Sequence, residues 1–111
     1  MQYTLNPEIN HWIDQIHEQI GKLYPNVVIK EQPGFRSINY GLQPGMNAVR
    51  CYIICYNQKA NLGFPHGVNF IDTFPYLQGT GKTHRHVEIN QNLMENQKEL
   101  IKLLTFAFKH Q

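Results

Sequence analysis

Four residues have the types that metal chemistry needs. His84 and His86 stand two apart in a stretch that alternates like a β-strand, so both imidazoles project to one side at a separation that two ligands of one ion can span. Glu88 is the next residue of that face, and His66 can approach from a loop. Together they would form a set of imidazoles and one carboxylate of the kind that suits iron or zinc. The plainer alternative is a row of solvated or hydrogen-bonded surface side chains.

Directly before His84 runs Gly79-Thr80-Gly81-Lys82-Thr83. This looks like part of a phosphate loop, but that motif needs a glycine where Tyr76 stands and a parallel βαβ unit around it. Nucleotide hydrolysis is therefore not expected. Two glycines and a lysine beside Arg85 can still form a turn that binds an anion, the alternative being a structural connection between strands.

Nucleophilic chemistry finds less support. The one serine, Ser37, lies in a predicted strand, and no Gly-x-Ser-x-Gly elbow occurs. Cys51 and Cys55 are four apart in one strand, where their Cα atoms would be roughly 13 Å from each other, beyond the reach of a disulfide. They read as buried free thiols in a reducing compartment. Near the glycine-rich turn only Asp72 and Glu88 carry carboxylates. No catalytic residue is assigned.

The elements that must position these residues follow from periodicity. Asn6-Pro7 opens a helix as cap and first residue, and Ile9, Trp12, Ile13, Ile16, Ile20 and Leu23 recur at helical spacing. Residues 27–89 then alternate in short runs cut by turns, predicting strands at 27–31, 35–42, 47–56, 60–64 and 84–89, with a weaker one at 68–71. Pro33-Gly34 and Pro44-Gly45 suit type II turns. Asn92 is the expected cap of a final helix, with Glu95 at its third position and Leu93, Leu100, Ile101, Leu104, Ala107 and Phe108 as its apolar stripe. The expected architecture is α+β: one two-layer domain over residues 1–111, with an antiparallel sheet of five to six strands and both helices on one face.

Side-chain parity decides which surface stays free. Val49, Cys51, Ile53 and Cys55 share one side of the central strand and belong under the helices, whereas Arg50, Tyr52, Ile54 and Tyr56 share the other. Burial of Val87 and Ile89 turns His84, His86 and Glu88 to that second side. The candidate ligand surface is thus Arg50, Tyr52 and Tyr56 together with Gly79, Gly81, Lys82 and Arg85. Its plain alternative is a solvated sheet face shielded by tyrosines.

Composition narrows the function classes. A chain of 111 residues, 41% hydrophobic and 16% charged, suffices for one core. The formal charge of +2 comes without any basic run, so nucleic acid is not an expected partner. The first residues lack a charged segment followed by an apolar one, and no stretch approaches the ~18 apolar residues of a membrane span. A cytoplasmic protein is expected, with an unknown small ligand or protein as partner and an oligomeric state that the sequence does not give.

One ordered set of residues resembles a known family. Cys51-Tyr52-Ile53-Ile54, Asn61-Leu62-Gly63-Phe64, Gly67, Asp72, Leu77-Gln78-Gly79-Thr80-Gly81-Lys82 and Arg85-His86-Val87-Glu88-Ile89 are similar to the YdhG-like proteins, also called domain of unknown function 1801. The resemblance implies an α+β sandwich that looks like frataxin, and one branch of the family is linked to iron delivery for iron–sulfur cluster and haem assembly. Three expectations stand open: a non-enzymatic binding domain with its site at the Gly79 to Lys82 turn and adjacent sheet face, an iron chaperone of the frataxin kind, or an enzyme of unidentified reaction.

Overall fold

The computed structural model describes residues 3–110. Helix α1, Pro7–Leu23, begins where Asn6 Oδ1 accepts hydrogen bonds from the Glu8 and Ile9 amides, at 2.9 and 3.3 Å. Proline occupies the first turn, where no amide donor is needed. The chain ahead of the helix is clasped by Asn10: its Oδ1 accepts from the Thr4 amide and hydroxyl, and its Nδ2 donates to the Thr4 carbonyl. Ile9, Ile13, Ile16 and Ile20 form the buried stripe.

Five strands follow: β1 Val28–Gln32, β2 Ser37–Gly41, β3 Val49–Cys55, β4 Ala60–Phe64 and β5 Arg85–Glu88. They pair antiparallel in chain order, each strand lying beside the one before it. Glu31, Ile38, Ile53, Leu62 and Val87 form one cross-strand row, and its central isoleucines and leucine are fully buried against α1 and the last helix. The adjacent row of Lys30, Asn39, Tyr52, Gly63 and His86 looks the opposite way. Two layers result, with both long helices on one face of an open sheet.

The C-terminal region differs from the expected single helix. It divides into α2, Gln91–Glu95, and α3, Gln97–Lys109, because Asn96 leaves helical geometry at φ −105 and ψ 66. Asn90, not Asn92, is the cap, its Oδ1 accepting from the Leu93 amide at 2.9 Å. The break also sets the phase of α3. Leu100, Leu103, Leu104, Ala107 and Phe108 are buried at the full helical spacing, while Ile101 is half-buried. Tyr24, at the end of α1, stacks on Phe108 with ring centres 4.2 Å apart.

Three further expectations are corrected. The stretch 68–71 is a 3-10 turn, Gly67–Phe70, not a strand, because Phe70 must turn inward to meet Phe64 and Phe106 at 5.6 and 5.1 Å. The first proline-glycine turn is a 3-10 turn over Pro33–Phe35 whose left-handed residue is Arg36, φ 52, rather than Gly34. Arg36 is held there by its guanidinium, which donates to the Tyr3 carbonyl and Asn57 Oδ1. Finally, Val49 leaves the parity of Cys51, Ile53 and Cys55. A register shift at Tyr40 and Gly41 places it opposite Gly41, buried outside the main core beside Val28, Asn39 and Met46.

The long connection 65–84 is fixed by its own anchors. Phe70, Phe74 and Leu77 are buried, and Phe106 of α3 meets the first two rings edge-on. Gln78 and His86 exchange both backbone hydrogen bonds at 2.8 Å, and Val68 N–H donates to the Thr83 carbonyl. The glycine-rich turn is thereby brought to the outer edge of β5. Among the described residues no helix is long and apolar enough to cross a membrane.

Candidate functional site

Tyr52 organises the free sheet face. It lies in register with Gly63 on β4 and, through it, with His86 on β5. A Cβ at Gly63 would collide with the Tyr52 ring, so the glycine is the bed on which the phenol crosses to the neighbouring strand. At the end of that path Tyr52 Oη meets His84 Nδ1 at 2.9 Å, the two rings 5.7 Å apart and tilted by 51°. Burial, and secondarily the charge of a Tyr56 phenolate, raise the Tyr52 phenol above its ordinary value. It stays protonated at neutral pH, so the hydroxyl can donate to Nδ1 or, in the other imidazole tautomer, accept from it.

His86 is half-buried in the same row, and Glu88 is exposed opposite Asn61. His66 is half-buried at the start of the Gly67–Phe70 turn. Among the described residues no group of three or more His, Cys, Asp or Glu side chains lies close enough to hold a metal ion, so His84, His86, Glu88 and His66 are not gathered into the donor set their spacing suggests.

The glycine-rich turn has a different internal logic. Gly79 has φ 133, a conformation that side chains rarely adopt. Arg85 folds back over the turn, its Nη1 donating to the Gly81 and His84 carbonyls, each at 2.6 Å. That guanidinium therefore closes the loop instead of facing outward. Lys82 and Gly81 are exposed.

Arg50 and Tyr56 are spread to the two ends of β3. Tyr56 enters the β3 to β4 hairpin, where its amide donates to the Lys59 carbonyl and its ring takes Lys59 Nζ at 5.6 Å. Arg50 lines a cleft formed by residues 42–48. The thiols sit on the core face as expected. Both are free, and burial pushes Cys55 up to about 11, Arg36 opposing, and Cys51 higher still. Ser37 is buried, donating to Gln32 Oε1 at 3.4 Å.

Two contacts escaped the sequence reading. Tyr40 is wholly buried on the core face of β2, and its hydroxyl meets His17 Nδ1 of α1 at 2.8 Å. Gly63 carried a usable signal, since a glycine inside an apolar strand marks a close approach. His17 carried none, because its position on the helix reads as polar surface. Compared with protein-family models, with curated proteins and with solved structures, the chain matches none.

Proposed function

We propose that this chain is a non-enzymatic binding domain whose ligand surface is the free sheet face at Tyr52, His84 and His86, with the Gly79 to Lys82 turn at its margin. The observation that carries this reading is the Tyr52 to His84 hydrogen bond laid across Gly63. It holds an aromatic platform and an imidazole in place before any ligand arrives, which lowers the ordering cost of binding. Lys82 lies exposed two residues from His84 and supplies a cation for an anionic group. The ordered residues between Cys51 and Ile89 support assignment to the YdhG-like family, and that assignment is part of the same proposal. The iron reading draws no support of its own from the placement of His84, His86 and Glu88.

Thermal melting with inorganic phosphate, adenosine 5′-monophosphate and small carboxylic acids tests the proposal. A ligand present at ~100 times its Kd stabilises the fold by about 2.7 kcal/mol, a shift of roughly 10 °C. The shift should shrink in Tyr52→Phe, His84→Ala and Lys82→Ala. No stabilisation by any of these compounds, or an equal shift in all three variants, would count against it.

A further inference from the structure

The connection between β2 and β3 builds a second cleft, which shares no lining residue with the Tyr52 and His84 pair. Its origin is the register shift. Gly41 pairs with Val49 where even spacing would give Arg50, so Arg50 is the extra residue of the bulge and is re-aimed by it. Gly45, at φ 108, then turns the chain into the Met46–Ala48 3-10 turn. Residues 42–48 and Arg50 line an open cleft of about 380 Å³, within the range of sites for small molecules.

Arg50 indicates what such a cleft takes. Its Nε is buried and has no hydrogen-bond partner, the one buried side-chain nitrogen or oxygen in that condition among the described residues. An unbonded buried donor is costly, and more so on a charged group. Nε itself is covered by the protein and is not reached from the cleft, so the edge on offer is the one made by the two Nη groups, which are neither buried nor bonded and match two oxygens of a carboxylate or phosphate. No Asp or Glu lines the cleft, so the walls do not supply that partner. Beside the cation the walls are partly apolar, with Leu42 43% and Met46 63% exposed next to Pro44.

We infer that this cleft binds a small organic acid, its carboxylate bidentate on Arg50 and its hydrocarbon body against Leu42, Pro44 and Met46. Inorganic phosphate offers the same pair of oxygens but nothing to cover the apolar wall, which is why the carboxylate is favoured.

The Arg50 Nε–H resonance, in the same guanidinium as that edge, reports on the site. In titrations of the whole chain with hexanoate, acetate and inorganic phosphate, hexanoate should shift that resonance saturably and move the Met46 methyl. It should bind at least about tenfold more tightly than acetate, because its extra methylenes leave water. Arg50→Lys should keep the dispersed amide spectrum of the fold and lose hexanoate binding. Met46→Gln should bring hexanoate to within about threefold of acetate, and it decides the matter if Arg50→Lys fails to fold. His84→Ala should leave the Arg50 shift unchanged, so this site and the open face stand or fall separately. The inference is overturned if the Nε–H does not move, if hexanoate and acetate bind alike, or if phosphate binds more tightly than hexanoate.

Discussion

Gly63 shows how one residue governs the site without touching a ligand. The Tyr52 ring occupies the space a side chain would take, so Gly63→Ala must expel the phenol or shift β4. Overpacking of this kind costs about 1–3 kcal/mol. We expect that loss in chemical denaturation together with loss of the His84 imidazole shift that the phenol imposes; a variant as stable as wild type with an unchanged His84 signal would contradict it. At this scale the sequence was partly legible. Alternation placed Cys51, Ile53 and Cys55 inside and Tyr52 outside, since parity follows from the pleat alone. The Tyr52 to His84 bond was not readable, because it joins residues 32 apart through the registers of two strand pairs. Nor was the inward fold of Arg85, which depends on where two loop carbonyls point.

Among the elements, helix α1 was legible from its cap to its stripe, since Asn6, Pro7 and four isoleucines all agree. The C-terminal region was not, because two asparagines compete for one role. Asn90 follows the buried Ile89 and reaches the Leu93 amide, whereas Asn92 is exposed inside α2. Asn90→Ala should therefore cost about 1 kcal/mol and Asn92→Ala close to nothing. Equal effects in a denaturant titration would contradict this assignment of the cap. The bulge in β3 was equally hidden. A strict period of two predicts Val49 on the core face, and only pairing with Gly41 displaces it. Bulges add a residue without altering hydrophobic content, so periodicity passes over them.

At the scale of the molecule, three buried acids link stability to pH. Cys51, Cys55 and Tyr40 lie in the core row or beside it, and burial raises all three. Below the ordinary thiol value of 9.0 they are protonated in both the folded and unfolded chain, and their contribution is intact. As the pH rises past 9.0 for the thiols and 10.0 for the phenol, the unfolded chain loses protons that the folded chain keeps, Cys55 to about 11 and the others beyond. The unfolded state then binds fewer protons, so stability falls with rising pH. Melting temperature should hold level from about pH 7 to about pH 8.5 and drop from about pH 9 to about pH 11; a level curve through the upper window would contradict the burial of these groups. The same two-layer arrangement that buries them leaves the Tyr52 face free. The most direct test of that face as the ligand surface is an amide and imidazole chemical-shift map on addition of adenosine 5′-monophosphate, whose base can stack and whose phosphate can meet Lys82. The account predicts saturable shifts concentrated at Tyr52, Gly63, Lys82, His84 and His86. Shifts confined to the exposed surfaces of α1 and α3, or none at all, would contradict it.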